Sequence, residues 1–339
     1  TVKGQYQVEI YNAMDGTHKK IEAEYPEGIT RCWIPYFEDD SILLRLLPTD
    51  ENDTSDRVCC EKEGEWEMKL GLLTRQGYLC GPVEYLLSEP NVLLLDQASF
   101  RIEGEPEYSG EKLEVLKIED KLRRIYDYPL RSESFPQPWL EKDAEEMEHY
   151  SLTLTFVFQS DRRLEGTKLA AEIGDGWEVF LNGCNCVKSS DFWLDQAFTV
   201  YRLPSVLKGE NVLTIRLPFD RRTALEWCYL IGNFGVMTDG INNTLTEKPE
   251  KLEFGDITRQ KMPFYGGNIT YIKEIMVDKK KHMYLQIPNY SGALISVRTD
   301  GDSSEQIVYC SPYIADLGIK EPGLCRIEIT LYGNRFNMF

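Results

Sequence analysis

An all-β chain is predicted, built as multiple β-sandwich or jelly-roll domains with one or two short helices. Three observations carry that expectation. Apolar and polar residues alternate over short runs, as in residues 6–11 (YQVEIY), 177–181 (WEVFL) and 212–217 (VLTIRL), the period of a strand with one buried face. Turn sequences punctuate the runs: Asp15-Gly16, Asn182-Gly183, Asp300-Gly301 and Lys208-Gly209-Glu210-Asn211. Asn and Gly tolerate the positive φ that a tight hairpin turn requires. Helical spacing is convincing only from about Gly110 to Tyr126, where Ile118, Leu122, Ile125 and Tyr126 fall on one face.

Taken in order, residues 2–85 read as a first β region. Residues 41–48 (SILLRLLP) are a short buried strand stopped by proline, 50–56 a polar exposed loop, and 66–70 (WEMKL) another alternating strand. Gly81-Pro82 and Pro90-Asn91 break the chain before 92–96 (VLLLD), a buried strand. Residues 129–139, rich in Ser and Pro, form a loop ending in Gln137-Pro138-Trp139. A central β unit opens at 150–159 (YSLTLTFVFQ) and closes near Val236. Residues 239–253 read as a polar linker, 262–268 (MPFYGGN) as a loop, and a further β unit runs from Ile269 onward. The last two units repeat one outline of strand, alternating strand, turn, polar return, turn and closing strand. Domains are therefore expected at 1–88, 89–240 and 241–339.

The totals narrow the function classes. A chain of 339 residues holds two or three domains of roughly 100–200 residues each. A formal net charge of −18 repels phosphate backbones and anionic lipid heads, so neither nucleic acid nor a membrane is expected as a partner. Nine cysteines at irregular spacing suit reduced thiols in a cytoplasmic setting better than a disulfide framework. The chain opens on Thr1 with no leader pattern, which reads as a piece of a longer polypeptide.

Three stretches resemble known modules. WEVFLNG followed by LKGENVLTI is similar to the galactose-binding-like sandwich, the family 2 type of sugar-binding domain found in bacterial glycoside hydrolases. MPFYGGNITY resembles the entry into an accessory sandwich of β-galactosidase-like and rhamnosidase-like enzymes, and GLCRIEITLYGNRFN resembles a closing strand of such a module. The resemblance spans residues 85–339. It implies a non-catalytic, carbohydrate-binding or structural accessory region, with a carbohydrate ligand and the catalytic domain of the same polypeptide as partners. A (β/α) barrel needs eight strand–helix alternations, and this sequence has one good helix.

Candidate residues follow from the chemistry of sugar recognition, an exposed aromatic for the apolar ring face and polar groups for the hydroxyls. Trp193 lies in the 189–196 return loop, Trp139 in its proline-flanked loop, Trp227 beside Glu226, Tyr265 in the glycine-rich loop, and Asp175 just before Gly176-Trp177. These six are the expected carbohydrate-binding residues. Trp177, alternating with Val179 and Leu181, is expected to face the core. No catalytic residue is assigned: with 56 Asp and Glu, neighbouring carboxylates arise without any function. The three histidines are scattered and Cys184-Asn185-Cys186 has no second pair, so no metal site is assigned. No cofactor is expected. Sandwiches of the resembled kind often hold structural calcium through loop carboxylates, for which Asp175 and Asp195 are the available donors. The rival readings are a purely structural interaction module and an intact hydrolase with an unrecognised carboxylate pair.

Overall fold

A computed structural model describes residues 1–11, 16, 18–34, 42–49, 73–131, 149–174, 176–301, 305–310 and 313–338. The expectations for 12–15, 50–56, 66–70 and Trp139 and Asp175 lie outside them. The fold is all-β, with one α-helix among the described residues. Two compact units are formed: the first from Thr1–Leu79 and Ile275–Cys325, the second from Cys80–Glu274 and Arg326–Phe339.

The first unit is a set of small antiparallel sheets. Tyr6–Tyr11 pairs with His18–Ile21 on one side and Leu43–Pro48 on the other. Ile29–Cys32 lies between Val2–Lys3 and Ala23–Glu24. Lys281–Gln286 pairs with Ile314–Lys320, and Leu294–Thr299 with Gln306–Val308. The expectation of a buried strand at 41–48 is corrected here, since Leu43 is 59% and Leu44 37% exposed. Leu43–Pro48 is an edge strand with one neighbour among the described residues, and an unbroken apolar run does not by itself specify cover on both faces.

The second unit is a two-layer sandwich. Its larger sheet has the strand order Glu105–Glu114, Gln97–Ile102, Tyr150–Ser160, Gly209–Phe219, Glu178–Leu181 and Cys184–Asn185. The smaller has the order Val187–Trp193, Asp195–Arg202, Lys168–Glu172, Cys228–Gly232 and Asn91–Leu95. Tyr150–Ser160 and Gly209–Phe219 form the spine, antiparallel in continuous register from Tyr150↔Phe219 to Ser160↔Gly209. Leu152, Leu154, Phe156 and Phe158 meet Leu213, Ile215, Leu217 and Phe219 on one face, all buried. Leu93, Leu95, Leu169, Ala171, Cys228 and Leu230 face them from the other sheet. Burial of each Leu, Ile or Phe among them contributes about 1.5–3 kcal/mol.

The smaller sheet is apolar on its second face as well. Val92, Leu94, Ala170, Val200, Tyr229 and Ile231 form a separate cluster there with Trp193 and Met338. The second face explains why 92–95 reads as an unbroken apolar run. Arg335, just before Met338, grips Glu89 through two hydrogen bonds of 2.7 and 2.9 Å.

Local sequence sets the details. Asn182 (φ 52°) and Gly183 (φ 78°) make the two-residue hairpin turn expected of them, closed by the Leu181↔Cys184 pair. Asn182 also joins the other turn motif. Its Nδ2 donates to Asn211 Oδ1 at 2.9 Å, and its Oδ1 accepts from Val212 N at 2.8 Å. Asn211 is fully buried and bonds Leu207 N and O and Gly209 O as well.

The helix spans Val115–Ile125, so its expected start at Gly110 is corrected. Residues 110–114 continue a bulged strand, and a Cβ on Gly110 would meet the Phe100 ring at 2.1 Å. Glu114 begins the helix, its carboxylate accepting from Leu116 N and Lys117 N at 3.0 and 3.2 Å. The polar linker expected at 239–253 is also corrected. Asn243–Thr246 is a strand, parallel to Gln159–Ser160 at one end and antiparallel to Gly235–Thr238, with Leu245 fully buried. No described helix is long and apolar enough to cross a membrane.

Candidate functional site at one end of the smaller sheet

Strand register gathers the polar groups. Ala170 pairs with Tyr229 and Glu172 with Phe198, so Glu172, the 226–227 segment and Asp195 share one end of the sheet. Behind them lies a charged network centred on the helix. Glu119 and Arg123, one turn apart, are both buried and joined at 2.7 Å. Glu119 Oε2 accepts from Leu225 N at 2.7 Å and faces Arg131 Nη1 at 3.5 Å. Arg123 donates to the carbonyls of Pro129, Arg221 and Thr223 at 3.1, 3.3 and 2.9 Å. The 221–225 backbone is thereby held onto the helix.

Arg131 carries the network outward. It donates to Leu225 O at 3.1 Å and to the carboxylate of Glu226. Burial disfavours its charge, but the Glu226 hydrogen bond and the charges of Glu226, Glu119 and Glu172 more than offset that, and its pKa is raised. The Glu172 carboxyl is raised too, by partial burial first and then by the like charges of Glu226 and Asp195, against the pull of Arg131. The Tyr229 hydroxyl is pushed up to about 12, mainly by burial, with Cys228, Glu226 and Glu172 adding to it.

The sequence-predicted residues occupy different settings. Glu226 stands in this site. Trp227 is half-buried beside it, and its indole N–H donates to Glu114 Oε1 at 2.6 Å. Trp193 is 6% exposed, 5.2 Å from the Tyr229 ring and 5.6 Å from Phe198, with no partner for its N–H among the described residues. Tyr265 is 1% exposed, its hydroxyl donating to Asn268 O at 2.8 Å. Trp177 is half-buried against the main core. Glu172, Arg131, Glu119 and Glu114 were not singled out from sequence. The signal for Glu119 was its i,i+4 relation to Arg123 on the helix's apolar face.

The arrangement can accept hydrogen bonds from hydroxyls through Glu172 and Glu226, while the Trp227 ring packs against both apolar clusters. Among the described residues no group of three or more His, Cys, Asp or Glu is placed to hold a metal ion.

No family model and no curated protein matches the chain. Among solved structures it is similar to a GH2 β-galacturonidase from Eisenbergiella tayi bound to glycerol, with TM-score 0.21 and 7% identity over 77% of this chain and 38% of that one. The same enzyme bound to galacturonate gives TM-score 0.21 and 7% identity over 77% and 39%. The chain thus spans well under two thirds of the length of those proteins. The likeness is weak, and nothing about a site follows from it.

Proposed function

We propose that this chain is a non-catalytic accessory region of a bacterial glycoside hydrolase, cytoplasmic, whose sandwiches serve chiefly as structural modules beside a catalytic domain of the same polypeptide. One observation carries the structural emphasis: the candidate aromatics Trp193, Tyr265 and Trp227 are engaged in the fold. Trp193 and Tyr265 are buried, and Trp227 is tied to the helix cap through Glu114. Carbohydrate contact falls to the sheet end, where the carboxylates of Glu172 and Glu226 are close enough to feel each other's charge. The test is a panel of nitrophenyl glycosides incubated with this chain, alongside calorimetric titration with neutral oligosaccharides. The accessory reading expects no turnover and at most weak binding.

A second reading has a specific observation in its favour. Hydrolysis of a glycosidic bond uses one protonated and one ionised carboxyl. Partial burial and the nearby charges of Glu226 and Asp195 raise the Glu172 carboxyl, the direction a proton donor needs, and Glu226 is the neighbouring carboxylate. Turnover abolished by Glu172→Gln and by Glu226→Gln separately would establish this reading and overturn the accessory one.

A further inference from the structure

The turn at Asn182-Gly183, the only Asn-Gly pair in the chain, joins a reactive dipeptide to a lock on its reactive group. Asn is among the thermolabile residues, because the backbone nitrogen that follows it can attack its side-chain amide carbon. Glycine in the next position leaves that nitrogen unshielded: a Cβ built on Gly183 would meet nothing within 4 Å. Both residues are exposed, so water reaches them.

The fold takes hold of both ends of the Asn182 amide. Nδ2, the leaving group of such an attack, donates to Asn211 Oδ1 at 2.9 Å, and Oδ1 accepts from Val212 N at 2.8 Å. The backbone N–H of Asn182 donates to Val212 O at 2.8 Å. The amide carbon cannot swing toward Gly183 N without breaking both side-chain bonds, and one partner, Asn211, is fully buried.

Modification would not be silent. Attack forms a bond from Gly183 N to Asn182 Cγ and expels Nδ2 as ammonia, which carries off the Gly183 amide proton. Water then opens the succinimide ring to aspartate or isoaspartate. Either product replaces the Nδ2 donor by a carboxylate oxygen facing the Asn211 Oδ1 acceptor. Asn211 cannot turn its amide over in response. Its Nδ2 already donates to Leu207 O and Gly209 O at 2.8 and 3.1 Å, and its Oδ1 accepts from Leu207 N at 2.9 Å. The isoaspartyl product also inserts a methylene into the main chain of a two-residue turn closed by the Leu181↔Cys184 pair.

We infer that Asn182 is a latent deamidation site kept shut by Asn211 and Val212, so that a turn which opens is marked covalently and cannot close as before. The inference goes beyond the accessory reading and needs no ligand. The chain would be held in warm, mildly alkaline buffer, native and in urea, and the peptide containing Asn182 followed by mass spectrometry with an isoaspartate assay. The unfolded chain should be modified at Asn182, and the native chain slower by roughly tenfold or more, since reaction then draws on the open population alone. Asn211→Ala should speed the native reaction by roughly fivefold or more, the effect of one lost hydrogen bond on an opening equilibrium. Glu114→Ala, which weakens the fold away from the turn, should leave the rate unchanged. The deamidated fraction, separated by ion exchange, should unfold at lower urea than its parent. Equal rates in the native and unfolded chain overturn the inference, and that comparison decides even where Asn211→Ala does not fold. No acceleration by a folded Asn211→Ala, equal acceleration by Glu114→Ala, or a deamidated fraction as stable as its parent overturns it as well.

Discussion

Replacing Asn211 by Ala tests the claim that two turns are held as one object. Asn211 is fully buried and its amide serves four groups: Asn182 Nδ2, Leu207 N, Leu207 O and Gly209 O, at 2.9, 2.9, 2.8 and 3.1 Å. The Ala variant leaves these groups without their partner. At about 1 kcal/mol for each hydrogen bond lost, softened where partner groups on the exposed residues Asn182 and Leu207 rehydrate, the loss should be about 3 kcal/mol. For a unit of this size, that lowers Tm by roughly 6–12 °C. The assay is urea unfolding followed by circular dichroism, with Asn182→Ala and the double variant completing a cycle. A coupling of about 1 kcal/mol is expected, because both single changes break the same amide pair. A loss below about 0.5 kcal/mol, or strictly additive effects, would refute the reasoning.

Three other outcomes follow. Arg123→Met takes from the buried Glu119 carboxylate its nearest cation and should cost about 3–5 kcal/mol in urea unfolding; exchanging both residues for apolar ones should recover only part of it, because the backbone groups that the pair serves, Leu225 N among them, then lose those bonds. Glu114→Ala removes the helix cap and the Trp227 partner together; it should cost at least the roughly 1 kcal/mol of a cap and shift the indole emission. Glu172 has a raised pKa in the folded state, so its proton favours the native form at low pH and that stabilisation fades as pH rises from the ordinary carboxylate range through the folded value. Glu172→Gln should therefore match the wild type in acid and become the more stable of the two toward neutral pH, read from Tm across a pH series; a gap that opens in acid instead contradicts the assignment.

Much of the sandwich was legible because its signals are local. The alternation of 150–159 and 212–217 and the Asn182-Gly183 turn depend on neighbours in sequence, and each element appears where its pattern lies. The errors have a common cause. Residues 243–246 look like linker because their polar flanks dominate, and only the pairing with Gln159–Ser160 and Gly235–Thr238 makes them a strand. The helical spacing of Ile118, Leu122, Ile125 and Tyr126 does not fix where the helix begins, and the close approach of Gly110 to the Phe100 ring, which keeps 110–114 in the strand, is tertiary. The sheet-end site was half visible. Glu226 and Trp227 announce themselves as a polar–aromatic pair, but Glu172 and Arg131 join them only through antiparallel register and a return of the chain, which no window of sequence contains.

The grip of Arg335 on Glu89, and of Met338 beneath Val92 and Leu94, bears on any attempt to work with fragments. A segment cut as 80–274 would leave an oily sheet surface bare and a buried carboxylate-facing slot empty, inviting self-association. Expressed together with a separate 326–339 peptide, the same segment should regain solubility, and titrating that peptide would report how tightly the tail seals the layer it covers.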